Sequence, residues 1–266
     1  MRLQRWLPDR GHLTEYAAEA WALGLFMVAA CGVGVLLFHP ASPFVEALPG
    51  QLPRRALMGV AMGLTAIGNI YSPWGRRSGA HMNPATTLMF LHLGKIAPGD
   101  ATGYVLAQFA GGIGGTLLAS ALLAGWLRDP AVNFVATLPG PWGVGPAFLA
   151  EVAISFGLML VVLTLIARPK LAPAAGLAAG SLVALYILIE APISGMSMNP
   201  ARSLGTALPA MRAEGLWIYF VAPPLGMLGA ALLHRRLLGR GRAHCAKYHH
   251  DPAYRCIFCA HHAARR

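Results

Sequence analysis

Long apolar segments alternate with short polar connections over most of this chain. A helix that crosses the hydrocarbon core of a bilayer needs about 20 predominantly apolar residues. Segments that reach or approach this length predict six spans, at about residues 16–38, 55–70, 102–127, 146–167, 173–190 and 216–233. Two further apolar segments, at residues 84–93 and 200–208, are too short to cross and predict half-helices. The pattern therefore predicts an all-α membrane protein with six transmembrane helices and two half-helices.

The composition agrees with a bilayer environment. Of the 266 residues, 56% are hydrophobic and only 12% are charged, whereas about a quarter of the residues are charged in soluble domains. The net charge of +11 is concentrated in the last residues and in the connections on one side of the six-span topology. The positive-inside rule makes this side cytoplasmic, although Arg54 and Arg55 oppose the trend. We therefore expect a multi-pass protein of the cell membrane with both termini in the cytoplasm, and no nucleic-acid partner.

A duplicated octapeptide divides the apolar region into two related halves. The sequence SGAHMNPA begins at Ser78 and SGMSMNPA begins at Ser194, and the two copies agree at all but two positions. The third span also matches the sixth, with Tyr104 corresponding to Tyr219. Because each half holds three spans, the halves must have opposite orientations in the membrane. We predict a channel domain at 1–238, with inverted repeats at about 15–127 and 146–238, followed by a basic tail at 239–266.

Pairs of small residues at four-residue spacing occur in both halves. In membrane helices such pairs form surfaces that let neighbouring helices approach closely, because lipid supplies no hydrophobic drive between them. The pairs are Gly59/Gly63, Gly111/Gly115, Gly176/Gly180 and Gly226/Ala230. Their matched placement in the two halves favours such close helix contacts over a chance occurrence of glycine.

Each octapeptide ends in Asn-Pro-Ala directly before a predicted half-helix. Asn is a good N-cap, and Pro suits the first helical position. Non-helical backbone at membrane depth is tolerated only where it is buried in protein or lines a water-filled cavity. We therefore predict that the two half-helix N-termini, which carry partial positive charge, meet at a pore that repels cations and passes neutral molecules. The motif residues are Asn83, Pro84, Ala85, Asn199, Pro200 and Ala201.

The chain resembles the aquaporins, the major intrinsic protein family, over residues 15–238. The resemblance rests on both octapeptides, on Glu19 and Glu151 early in the first span of each half, and on Gln108 in the third span. It implies a passive channel for water, a homotetramer with one pore per subunit in the lipid bilayer, and neither enzymatic activity nor a cofactor. In aquaporin-type pores, an arginine and the positive ends of half-helices exclude protons and cations.

The resemblance also assigns roles around the pore. Asn83 and Asn199 would orient the permeant, and Arg202 would be the constriction arginine at the outer mouth. A track of backbone carbonyls would accept hydrogen bonds from the permeant. It would be formed by Gly79, Ala80, His81, Met82, Gly195, Ser197 and Met198.

Glu19, Glu151 and Gln108 would brace the re-entrant loops by hydrogen bonding. A proton-coupled secondary transporter also uses inverted repeats and broken helices, and it would use a buried carboxylate for ion coupling. The transporter is the alternative from another class of protein.

The remaining constriction positions differ from the pattern of water-selective members. Met62 stands where an aromatic is common, with Gly63 as the alternative if the register shifts by one residue. Ile187 replaces the usual His, and Met196 and Arg202 complete the predicted filter. Because the His is missing, we expect a less polar filter that passes water and also small uncharged solutes. The alternative is a facilitator mainly for glycerol, urea, ammonia or a metalloid acid.

The tail carries a candidate metal site. Cys256 and Cys259 have the Cys-x-x-Cys spacing of a metal knuckle, and Cys245 and His261 supply further ligand types nearby. Because no second close pair of ligands follows, the sequence favours a flexible basic tail near anionic lipid. The alternative is a site at these four residues for zinc or another thiophilic metal.

Overall fold

The computed structural model describes residues 3–238 and 245–259, and in these ranges its regular structure is helical. The α-helices are α1 (Leu13–Phe38), α2 (Pro43–Ala47), α3 (Gln51–Tyr71), α4 (Pro73–Ser78), α5 (Pro84–His92), α6 (Pro98–Leu123), α7 (Val144–Ile166), α8 (Ala175–Ser194), α9 (Pro200–Ala210) and α10 (Leu216–Leu238). Short 3-10 turns lie at Leu3–Trp6, Arg10–His12, Ala124–Arg128, Asn133–Val135 and Ala172–Ala174.

The six long helices confirm the six predicted spans, and α5 and α9 are the two predicted half-helices. Five of the long helices are long and apolar enough to cross a membrane by length and composition. The exception is α3, which begins at Gln51 and carries Arg54 and Arg55 in its first turns. The third span lies about four residues earlier than predicted. It begins at Pro98, a residue favoured at the first helical position, and ends before Gly125, which disfavours a helix interior.

The helix contacts recur in the two halves. Helix α1 packs most extensively on α6, its counterpart α7 packs on α10, and α3 packs on α8 across the boundary between the halves. Each half-helix contacts the third long helix of both halves, since α5 and α9 each pack on α6 and α10. This symmetry is the one predicted for an inverted repeat.

The small residues lie at these contacts, as predicted. A Cβ atom added at Gly63 in α3 would lie only 2.6 Å from the backbone oxygen of Gly180 in α8. In α6, Cβ atoms at Gly111 and Gly115 would overlap the backbone of α1. The helix axes therefore approach more closely at these points than any larger side chain would permit.

The basic connections lie at one end of the helix bundle. Residues 245–259, which we call the tail segment, pack at this end. Arg76 pairs with Asp251 of the tail segment at 3.1 Å, and Arg255 donates to the backbone oxygen of Gly11 at 3.3 Å. We call this end the tail face.

Candidate pore

The two loops that precede the half-helices share an unusual backbone. Positive φ angles are uncommon for residues other than glycine and persist only where the surrounding structure imposes them. Here they recur at equivalent positions in both loops, namely Gly79, Ala80 and Met82 in the first and Gly195, Met196 and Met198 in the second. The repeated octapeptide therefore encodes one loop conformation twice.

Glu19 holds the first loop in place. Its buried carboxylate accepts hydrogen bonds from Ser78 Oγ at 2.7 Å, from the backbone N–H of His81 at 3.0 Å and from that of Met82 at 2.7 Å. Gln108 Nε2 donates to the same carboxylate at 2.8 Å. Both carboxylate oxygens are thus used in fixing the loop, as the bracing role requires.

Glu151 holds the second loop in the same way. It accepts from Ser194 Oγ, from the backbone N–H of Ser197 and from that of Met198, each at 2.7 Å. The two buried carboxylates, Glu19 and Glu151, thus brace the two loops through equivalent hydrogen bonds.

Two tyrosines complete the bracing, and the sequence analysis gave them no role. Tyr104 donates its hydroxyl hydrogen to the backbone oxygen of Ser78 at 2.7 Å. Tyr219 does the same for Ser194 at 2.5 Å. The signal for this role was the match of Tyr104 with Tyr219 in the repeat alignment.

Asn83 and Asn199 lie at the point where the half-helices meet. Each caps its own half-helix, because its Oδ1 accepts from the backbone N–H two residues later, at 2.9 Å and 3.0 Å. Each also reaches the opposite loop. Asn83 Nδ2 donates to the backbone oxygen of Met198, and Asn199 Nδ2 donates to that of Met82, both at 2.7 Å. The two N-termini therefore abut, as the sequence predicts.

A cavity of about 100 Å³ lies where the two half-helices meet. One wall is apolar and consists of residues at four-residue spacing on two helices. These are Met58, Met62, Ala66 and Ile70 on α3, with Ala179, Val183 and Ile187 on α8. The other wall is the polar backbone and side chains of residues 80–83 and 196–199 together with Arg202. The cavity is amphipathic along its length.

The four predicted filter residues, Met62, Ile187, Met196 and Arg202, all line the cavity. Gly63, the alternative to Met62, instead faces the backbone of α8. Arg202 Nη1 is buried and has no hydrogen-bond partner among the described residues. The filter thus combines apolar side chains with a guanidinium N–H that can donate to a molecule in the cavity.

The predicted carbonyl track is partly corrected. Its residues Ala80, His81, Met82, Ser197 and Met198 line the cavity, whereas Gly79 and Gly195 do not. These two glycines adopt the left-handed conformation that ends α4 and α8, with φ of 99° and 77°. Their backbone is therefore part of the turns behind the track. The backbone oxygen of Gly79 accepts from the N–H of Tyr248 at 3.1 Å.

His81 packs and positions its loop. Its ring stacks on Phe90 at a centroid distance of 5.0 Å and on Phe258 at 5.6 Å. Its Nδ1 lies 3.0 Å from Thr87 Oγ1, and its Nε2 lies 2.5 Å from the backbone oxygen of Ala246. Both ring nitrogens are therefore engaged by the protein.

The tail segment lies in the mouth of the cavity on the tail face. Tyr248 is buried and belongs to the cavity lining, together with Asn83 and Ile70. Sequence analysis interpreted the tail as a flexible segment at the lipid surface. For residues 245–259 this interpretation is wrong, because apolar side chains such as Tyr248 and Phe258 are buried in the channel. Sequence analysis missed Tyr248, which no motif marks.

Three cysteines and one histidine of the tail segment are close together. Cys245 Sγ lies 3.4 Å from Cys256 Sγ, and Cys259 Sγ lies 3.3 Å from His250 Nε2. Hydrogen bonding with Cys245 lowers the pKa of the Cys256 and Cys259 thiols. His261, which the sequence suggested as a ligand, lies outside the described residues, and His250 is the imidazole of this cluster.

Two Asn-capped half-helices meet at an amphipathic cavity, and six long helices surround them. This arrangement defines a membrane channel. Comparison with known proteins agrees. The sequence profile of the major intrinsic protein family matches residues 8–234. The chain therefore belongs to this family, the aquaporins, whose members are channels and not enzymes.

Individual relatives extend the comparison. Aquaporin NIP1-2 of Arabidopsis thaliana is 35% identical over 222 residues, which cover 81% of this chain and 71% of the relative. Aquaporin NIP1-1 of the same plant is 36% identical over 218 residues, covering 80% and 70%. The solved aquaglyceroporin of Plasmodium falciparum shares the fold, with a TM-score of 0.70, 20% identity and coverage of 85% of this chain and 97% of its own.

Proposed function

We propose that this protein is a passive channel for water and small uncharged solutes that excludes ions and protons. The observation that carries the proposal is the reciprocal pair of hydrogen bonds from Asn83 and Asn199, which brings both half-helix N-termini to one cavity. The partial positive charges of these N-termini and the charge of Arg202 repel cations there. A neutral dipolar molecule can bind the polar wall while its other side faces the apolar wall. This chemistry needs no cofactor.

The filter supports passage of solutes in addition to water. Met62, Ile187 and Met196 present only apolar atoms and a thioether sulfur beside Arg202. Such a surface accommodates the carbon skeleton of glycerol or urea-sized molecules while Arg202 Nη1 donates to an oxygen of the solute. The two plant relatives, which share about a third of the aligned residues with this chain, are named aquaporins.

The tail face is proposed to be cytoplasmic, with the protein in the cell membrane. The supporting observation is that Arg76 and Arg255 lie on this face, since cytoplasmic loops carry an excess of Lys and Arg. Family membership supports a homotetramer with one pore per subunit. Chemical crosslinking in membranes that yields a tetramer would support this assembly, and a monomer only would contradict it.

Stopped-flow light scattering on reconstituted vesicles tests the channel. Water, glycerol and urea are compared for the wild type and for Tyr248→Ala, which shortens the side chain at the cavity mouth. At least in Tyr248→Ala vesicles, we expect water and one or more solutes to move faster than in empty vesicles, with a low activation energy and no dependence on a proton or sodium gradient. Transport that requires such a gradient would instead support the transporter.

The apolar filter predicts a change of selectivity on substitution of Ile187. Ile187→His adds a polar ring beside Arg202, and we expect glycerol flux to fall about tenfold relative to water flux. The volume-conserving variant Ile187→Leu keeps the surface apolar and is the matched control. Equal glycerol-to-water ratios in the two variants would show that Ile187 does not contribute to the filter.

A further inference from the structure

The tail segment is seated in the channel by contacts along its length. The backbone N–H of Tyr248 donates to Gly79, and the Tyr248 hydroxyl lies 3.4 Å from Thr86 Oγ1 on the half-helix α5. Lys247 Nζ donates to the backbone oxygen of Arg76 at 2.6 Å. Phe258 stacks on His81 and is 1% exposed. The segment is thus packed directly on the first re-entrant loop, at the tail face.

The packing places a bulky side chain at the end of the pore. Tyr248 is 5% exposed, lines the same cavity as Asn83 and contacts the half-helix that Asn83 caps. A molecule moving from Asn83 toward the tail face therefore meets the Tyr248 ring. The tail segment therefore forms part of the cavity wall at this mouth.

The segment has little regular structure that could hold it there. It forms no helix or strand longer than three residues, and a segment of this length cannot build a core of its own without disulfides or a metal. Cys245 and Cys259 lie at its two ends, and His250 and Cys256 lie between them. A single ion bound by all four would therefore close the segment into a compact loop around Tyr248.

The geometry of the cluster fits a tetrahedral metal ion. Metal–sulfur bonds of about 2.3 Å and metal–nitrogen bonds of about 2.0 Å place the ligand atoms of such a site about 3.5 to 3.8 Å apart. The four ligand atoms here lie within 4.8 Å of one another. Two of the separations are 3.3 Å and 3.4 Å, and only a small rearrangement is needed. Three sulfurs and one imidazole are a ligand set of structural zinc sites.

We propose that Cys245, His250, Cys256 and Cys259 bind one zinc ion, and that this ion fastens the tail segment in the pore mouth and closes the channel. The closed form holds the four ligands together, whereas withdrawal of the segment from the mouth removes the packing that positions them. Zinc therefore binds the closed form more tightly and shifts the equilibrium toward it. At a free zinc concentration of 100 times the dissociation constant, the ratio of closed to open channel rises about 100-fold.

The metal site is tested on the purified full-length channel by metal analysis and native mass spectrometry. We expect one zinc per chain in the wild type and none in the double variant Cys256→Ser/Cys259→Ser. Cys31→Ala removes a cysteine of α1 outside the cluster and keeps the zinc, which makes it the matched control. Absence of zinc from the wild type, or a disulfide between Cys245 and Cys256 in its place, overturns the metal site.

The closure is tested by flux measurements on vesicles, and it rests on the proposed channel function. We expect slow flux with zinc, faster flux after chelation, and slow flux again when zinc is restored. Tyr248→Ala keeps all four ligands, so it should bind zinc while its flux no longer responds to zinc. Identical wild-type flux with and without bound zinc overturns the closure.

The two proposals fail in different ways. If the wild type and Tyr248→Ala bind zinc as expected but conduct nothing either with zinc or after chelation, the channel function is wrong while the metal site stands. If the zinc-bound wild type, the chelated wild type and Tyr248→Ala conduct equally, the channel function stands and the closure by the tail segment is wrong.

Discussion

Glu151→Ala is expected to prevent recovery of folded channel. The substitution removes the acceptor for Ser194 Oγ and for the backbone N–H groups of Ser197 and Met198. These donors are buried at membrane depth, and each one left without a partner costs about 1–3 kcal/mol. The summed cost of about 3–9 kcal/mol is comparable with the whole stability of a typical protein. The fraction of monodisperse protein after detergent extraction, and its thermal unfolding, measure the effect.

Glu214→Ala is the matched control for this prediction. Glu214 is an exposed carboxylate whose contact is an ion pair with Arg212 at 3.4 Å. Exposed pairs contribute about 0–1 kcal/mol, so the yield and unfolding temperature of this variant should stay close to those of the wild type. A Glu151→Ala channel as stable as Glu214→Ala would mean that the second loop keeps its conformation without the carboxylate.

The duplicated octapeptide accounts for most of what could be predicted. An N-cap Asn followed by Pro specifies a helix start from local chemistry alone, and its repetition between spans identifies both half-helices. The same argument predicted that Asn83 and Asn199 meet, because an odd number of spans per half inverts the second copy. The filter residues Met62 and Ile187 were assigned from the resemblance to the aquaporins, and both line the cavity, on α3 and α8.

The positions that sequence analysis missed depend on contacts between distant residues. Tyr248 reaches Gly79 and Thr86 across more than half of the chain, and no periodicity relates these positions. His250 has the same residue type as several neighbours in the tail, so its place beside Cys259 emerges only from the fold. Gly79 was assigned to the carbonyl track because the motif does not reveal that its left-handed turn directs the backbone toward the tail segment.

The spacing of the glycine pairs predicts a close helix contact but not the helix on the other side of it. Their spacing predicted close helix contacts, and the contacts are there. The identity of the partner helix was not encoded in the spacing, because a small surface fits any helix that presents a complementary one. The fold supplies the partners, since Gly63 faces Gly180 and Gly115 faces Gly24.

Gly115→Leu is expected to separate α6 from α1 and to destabilise the channel severely. A Cβ atom at Gly115 would lie 2.7 Å from the Cα atom of Gly24 and would overlap the Gly24 carbonyl group. These obstacles are backbone atoms of a packed helix, so they cannot move aside as a flexible side chain can. Overpacking of a well-packed contact costs about 1–3 kcal/mol. Because a whole leucine side chain would press against backbone atoms here, we expect a cost at or above the upper end of this range.

Gly114→Leu, one residue away in the same helix, isolates the cause. A Cβ atom at Gly114 would have no neighbour within 4 Å, and leucine is a better helix former than glycine by up to about 1 kcal/mol. This variant should unfold at or above the wild-type temperature, whereas Gly115→Leu should unfold well below it or fail to fold. Equal unfolding temperatures for the two variants would mean that α1 and α6 do not pack through Gly24 and Gly115. Because both variants add the same side chain to the same helix, only that contact can account for a difference between them.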